Sequence, residues 1–222
     1  GLQAAVKAVA PDMTGGPVEE PKNESAPNHG FLRKDAAMAT IFVTDENDCS
    51  HKGSAIQDLA TQNGCGEVNC YAPTKDEDQN PLLKTGQLAK DFRSNLEASK
   101  GTSIASDDLI MASIHGGYQR FDQSLPTNMK GAVSCTQAQQ STLRTNLQVC
   151  ATTLGSAKSG DRYEDFLRNF ENIYPERNAN NPQTQLDGLM CDGDLKSALT
   201  GIAEKIRPPE QSCIQGDVIP CS

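Results

Sequence analysis

The strongest constraint on this chain is a nearly uninterrupted apolar and β-branched run, Ala36-Ala37-Met38-Ala39-Thr40-Ile41-Phe42-Val43-Thr44, closed by Asp45-Glu46-Asn47-Asp48. Without polar alternation, such a run predicts a central strand covered on both faces, and strands of that kind belong to parallel sheets flanked by helices. The carboxylates begin where the strand leaves the sheet. A second strand is predicted at Asp108-Leu109-Ile110-Met111-Ala112-Ser113-Ile114-His115, with Gly116 and Gly117 turning the chain after it. Between the two, residues 86–98 repeat Leu88, Phe92 and Leu96 at four-residue intervals, a helical stripe that Lys100-Gly101 stops. Strand, helix, strand opens a doubly wound arrangement, whose crossover is expected to be right-handed.

Three further helices are predicted around this unit. Leu2, Ala5, Val6 and Val9 share one helical face before Pro11 ends the pattern. Tyr163, Phe166, Leu167 and Phe170 form an amphipathic stripe, with Asp161 and Glu164 in capping-box spacing. Leu195, Leu199, Ile202 and Ile206 form another, capped by Asp192 or Asp194 and stopped by Pro208-Pro209. Residues 11–30 have no apolar period and read as a surface loop or disordered arm. Residues 49–85 and 118–160 read as polar insertions, the second with room for a short helix between its cysteines. Asn23-Glu24-Ser25 matches a glycosylation sequon, which matters only in a host that glycosylates.

Apolar residues make up only 36% of the 222, and tryptophan is absent, so the core must be small relative to the chain. Eight cysteines, at 49, 65, 70, 135, 150, 191, 213 and 221, offer another means of ordering the insertions. Their even number and wide spacing favour disulfides in an oxidising compartment, with 105 complete pairings open. Each closed loop would contribute ~2–4 kcal/mol if unstrained. Structural zinc has less support, because there is no C-x2-C pair and His29, His51 and His115 are scattered.

A formal charge of −9, with no basic run interleaved with aromatics, argues against nucleic-acid binding. No apolar stretch is long enough to span a membrane. Phosphate loops of the G-x-G-x-x-G and G-x4-G-K-[ST] types are absent, as is a G-x-S-x-G nucleophile elbow. His51 beside Cys49 and Ser50 is read as an ordinary polar histidine, since a catalytic triad is defined by geometry and not by adjacency.

Two phrases, Gly30-Phe31-Leu32-Arg33-Lys34-Asp35-Ala36 and Ile41-Phe42-Val43-Thr44-Asp45-Glu46-Asn47-Asp48-Cys49-Ser50, resemble the von Willebrand factor A-like domains of bacterial exported proteins and lipoproteins. Two later phrases agree in order, Asp161 to Phe170 and Met190 to Leu199, so the likeness runs over most of residues 1–213. It implies the later half of such a domain over residues 1–212, followed at 213–222 by a C-terminal extension or small hairpin. The implied fold is a partial doubly wound, mostly parallel α/β sheet with flanking helices and disulfide-stabilised loop insertions.

The family's metal-ion-dependent adhesion site combines a D-x-S-x-S loop, a Thr from a second loop and an Asp after the fourth strand. Only the last has a counterpart here, Asp45. Either the remaining loops belong to sequence before Gly1, which starts as if processed or cut from a longer chain, or the domain lacks a working site. Hard divalent cations favour oxygen ligands at the C-terminal ends of parallel strands, so Asp45 is the one candidate metal ligand, for Mg2+ or Ca2+, conditional on those loops. Glu46 and Asp48 are read as carboxylates of a solvated turn that accept backbone N–H groups or cap a following helix. Asp192-Gly193-Asp194 with Asp187 falls short of a full calcium loop and is read as a helix cap.

The resemblance implies an extracytoplasmic, non-enzymatic protein at a bacterial cell surface, outer membrane or periplasm, binding a protein or surface glycan, with any lipid anchor outside this chain. Other envelope proteins are candidate partners. The alternatives are a structural subunit of an envelope or gliding-motility machine and a secreted hydrolase.

Overall fold

A computed structural model of the chain describes residues 1–16, 23–34, 36–51, 82–105, 108–116, 148–153, 155–170, 173–174, 199–200 and 202–203. Their elements run α1 Leu2–Ala8, α2 Pro11–Thr14, β1 Met38–Val43, α3 Thr85–Lys100, β2 Leu109–Ile114, β3 Gln148–Thr152, β4 Gly155–Lys158, α4 Asp161–Leu167 and β5 Ile173–Tyr174. The predicted strand, helix, strand unit is therefore present as β1, α3 and β2.

β1 and β2 pair in parallel from Met38 opposite Leu109 to Val43 opposite Ile114, and β5 pairs in parallel with the other side of β2. The order is thus β1-β2-β5, with β2 in the middle. This corrects the expectation that 36–44 is the central strand covered on both faces. Residues of β1 alternate between half-buried and exposed, leaving Ile41 38% and Val43 61% accessible, whereas five of the six residues of β2 are buried. A continuous apolar run is compatible with either place, and the sheet partners decide between them.

The core lies on the sheet face carrying Met38, Phe42, Leu109 and Met111, which share one side by register and the two-residue strand period. Against it pack Leu2, Val6 and Val9 of the first helical segment, Leu88, Phe92 and Leu96 of α3, and Tyr163, Phe166 and Leu167 of α4 with Phe170 just beyond. These are three of the four predicted stripes, and all but the partly buried Ala5 are buried. Phe166 is the centre of an aromatic cluster, 5.7 Å from Phe42, 6.0 Å from Phe92 and 5.2 Å from Phe170 between ring centroids, with two of these pairs edge-on. Edge-on pairs place the positive ring edge on the negative ring face, adding about 0.5–1.5 kcal/mol to simple burial.

Helix α1 has seven residues, too few to be stable alone. Its last carbonyls are satisfied by distant side chains. Asn95 donates to Val6 O at 3.2 Å, Asn28 to Ala8 O at 2.9 Å and Ser99 to Val9 O at 2.6 Å. Helix α3 ends at Gly101, whose φ of 72° and N–H bond to Glu97 O make a left-handed C-terminal cap, as the Lys100-Gly101 stop predicted.

Part of the stretch read as a surface loop or disordered arm is helical. Pro11 opens α2 at its first turn, the place where a missing N–H costs nothing. Ala26 is buried, and Asn28 N donates to Met13 O at 2.7 Å. The second predicted insertion ends in the antiparallel hairpin β3-β4, and residues 136–147, where a short helix was expected, lie outside the described residues. Nor is α4 capped by an Asp161 and Glu164 box. Its N-cap is Gly160 with no side-chain cap bond; Asp161 accepts the Ser159 hydroxyl, and Glu164 pairs with Arg168 at 3.0 Å. Gly116 serves close packing as well as turning, for a Cβ there would collide with the Lys158 carbonyl and sit 2.6 Å from Ala157 Cβ.

Residues 199–200 and 202–203 are helical, with Ile202 buried and Leu199 half exposed. Leu195, Ile206, the Asp187/Asp192/Asp194 loop, Gly117 and Cys65, Cys70, Cys135, Cys191, Cys213 and Cys221 lie outside the described residues.

Candidate functional site

The turn after β1 is built from neighbouring polar residues with unequal surroundings. Thr44 N donates to Ile114 O at 3.0 Å, continuing the ladder one residue past the strand. Asp45 follows, exposed, its main-chain carbonyl taking the Lys158 N–H at 2.8 Å. Glu46 is exposed as well, and its carboxylate pairs with Lys158 Nζ at 2.9 Å. At Asn47 the chain turns inward. Its side-chain oxygen accepts the N–H of Asp48 and that of Arg162, each at 3.0 Å.

Asp48 is fully buried. Oδ1 accepts Leu2 N at 2.8 Å and the Ser50 hydroxyl at 2.8 Å, while Oδ2 accepts Ser50 N at 3.0 Å and the Arg162 guanidinium at 3.3 and 3.4 Å. Ser50 Oγ in turn accepts Gln3 N at 2.9 Å. Asp48 and Ser50 thus supply the N-terminal cap that α1 lacks locally, placing a negative charge at the positive end of the helix. Asp48 accepts backbone N–H groups as expected, but it is buried and not solvated, and the helix it caps is the first one, 46 residues earlier, and not a following one.

Arg162 completes the junction by donating to Leu83 O at 2.7 Å. Burial lowers its pKa from the ordinary guanidinium value, against the opposing pull of Asp48. Burial likewise raises the Tyr163 phenol, with Asp48 adding to the shift and a hydrogen bond with Thr44 opposing it. Arg162 had no sequence signal as a partner of Asp48; its one clue is a charge beside the apolar stripe of α4.

Among the described residues the junction does not join a histidine to Ser50. The hydroxyl of Ser50 is donated to Asp48, and no hydrogen bond joins either residue to His51 among the described residues. His51 instead forms an isolated bridge with Leu82, and His115 is buried at the end of β2. Cys49 is disulfide-bonded.

Nor do the described residues by themselves fit a divalent cation. Among them no group of three His, Cys, Asp or Glu could hold a metal ion. Of the neighbours of Asp45, Glu46 is engaged by Lys158 and Asp48 is surrounded by donors.

The other notable surface is the outer edge of β1. Because Thr44 N points toward β2, strand alternation turns the N–H and C=O groups of residues 39, 41 and 43 outward, where no strand pairs with them among the described residues. The same residues carry the exposed side chains, including Ile41 and Val43.

These elements define a small α/β unit, a short parallel sheet flanked by helices. No family model, curated protein or solved structure matches the chain. Among the described residues no helix is long and apolar enough to cross a membrane.

Proposed function

We propose that this chain is a non-enzymatic binding module of the bacterial cell envelope, a von Willebrand factor A-like unit that docks a partner protein along the open edge of β1. The observation that carries this reading is the coincidence on one strand of backbone groups that no strand pairs among the described residues and exposed apolar side chains, Ile41 at 38% and Val43 at 61%. An unpaired edge is a template for strand addition, in which main-chain hydrogen bonds supply affinity and alternate side chains supply selectivity. That chemistry favours a protein over a surface glycan.

The disulfide at Cys49 supports an oxidising, extracytoplasmic setting. Asp45 stands one residue beyond the end of the strand ladder, exposed beside the proposed docking edge. A Mg2+ or Ca2+ ion enters this reading only if loops outside the described residues join Asp45 as ligands.

A photo-crosslinking residue at position 43 in the native host tests the docking edge, with exposed Lys90 on α3 as the control position. Discrete adducts from position 43 and none from 90 are expected. Equal or absent labelling would exclude docking on this edge. Repeating the experiment with and without a chelator separates cation-dependent adhesion from a fixed structural subunit, which would give the same adduct in both.

A further inference from the structure

At the opposite end of β1 from Asp45, where residues 36–39 enter the sheet, a groove of about 220 Å3 opens. Its walls include Phe31, Leu32, Arg33, Met38, Ala39 and Lys100. Three of these are unusual in combination. Phe31 is 63% exposed, whereas its neighbour Leu32 is buried. Lys100 is only 4% exposed, and among the described residues its ammonium has one hydrogen-bond partner, Ala36 O at 2.6 Å. Arg33 is exposed and enters no ion pair there.

A lysine in the last turn of α3 complements the negative end of that helix, which accounts for a positive charge at position 100. Helix complementarity does not account for its burial. An ammonium carries three donors and is costly to bury without an opposite charge. The described walls contain no carboxylate, while a second cation, Arg33, stands on the same rim. The groove therefore offers two positive groups and an apolar shelf to a ligand with one negative charge.

We propose that this groove is a carboxylate subsite, occupied by an acidic side chain or C-terminal carboxylate of an extended partner segment whose apolar neighbour covers Phe31. The assignment of a polypeptide occupant rests on the docking reading of β1, since Met38 and Ala39 belong both to the groove and to that strand. A protein of net charge −9 repels polyanions such as nucleic acid or an anionic membrane, so a short segment bearing an isolated carboxylate is the better match. Charge also gives the segment a direction, its acidic end at residues 36–39 and its other end near Asp45.

The test uses 3-phenylpropionate as the probe, followed by NMR of the Met38 methyl group and of the backbone amides of residues 36–39. Saturable shifts are expected, with the uncharged amide analogue, 3-phenylpropanamide, binding about tenfold more weakly, the loss of roughly one charge-assisted hydrogen bond. Lys100→Met should weaken the carboxylate by a similar factor, and Arg33→Gln, at an exposed position, provides the same readout if Lys100→Met fails to fold. Equal binding of acid and amide, shifts unaffected by both variants, or equally tight competition by inorganic phosphate would each overturn the carboxylate subsite. Carboxylate binding without crosslinks from position 43 would instead retain the subsite and remove the docking reading.

Discussion

Replacing Asp48 by Asn changes one oxygen to an amide and should destabilise the protein far more than a typical turn substitution. The carboxylate is fully buried and accepts from Leu2 N, Ser50 N, the Ser50 hydroxyl and Arg162. An amide side chain can keep the bond from Leu2 N, but it cannot balance the charge of Arg162. Leaving one member of a buried ion pair unpaired costs about 3–5 kcal/mol. That is a large part of the roughly 5–15 kcal/mol that holds a domain folded. In a chain of this size it corresponds to a fall in Tm of about 6–20 °C. Because the chain has no tryptophan, far-UV circular dichroism during urea unfolding is the suitable assay. Arg162→Met and the double variant complete a cycle, in which the double should be less destabilised than the sum by at least about 1 kcal/mol. A loss below about 1 kcal/mol with no coupling would place the pair among solvent-screened surface contacts and refute the junction argument.

Gly116→Ala should cost about 1–3 kcal/mol by the same assay, since its Cβ would press on Lys158 O and Ala157; a neutral result would mean that the hairpin is free to move away. Tyr163→Phe should flatten the alkaline loss of stability. The folded phenol has its pKa raised above 10.0, so as pH rises past about 10 the unfolded state releases this proton first, and wild-type stability falls until the folded pKa is passed. Urea unfolding at about pH 9 and about pH 11 should show the gap between wild type and variant shift in favour of the phenylalanine. Val43→Thr, at an exposed and outward-facing position, should change stability by no more than about 0.5 kcal/mol, so an effect of several kcal/mol would mean that this face is covered.

The elements that the sequence reveals are those whose signal is periodic and local. Leu88, Phe92 and Leu96 lie on one face of α3 wherever that helix is placed, and Tyr163, Phe166 and Phe170 do the same around α4. The apolar runs at 38–43 and 109–114 are strands by the same reasoning. The hairpin at 148–158 was not legible, because Gln148-Val149-Cys150-Ala151-Thr152 and Gly155-Ser156-Ala157-Lys158 have Val149 as their only β-branched apolar residue and no strong alternation. Their pairing with one another compensates for weak propensity, as cross-strand context commonly does.

By itself, then, the sequence determined the strand, helix, strand unit, the helical stripes and the acidic turn that ends β1. Only the tertiary structure decided that β2 lies between β1 and β5, that the outer edge of β1 meets no strand among the described residues, and that of two neighbouring carboxylates Glu46 meets solvent while Asp48 is buried. The physical reason is range. Apolar periodicity acts over one or two helical turns, whereas the burial of Asp48 depends on Leu2 and Arg162, 46 and 114 residues away, whose approach local pattern does not encode.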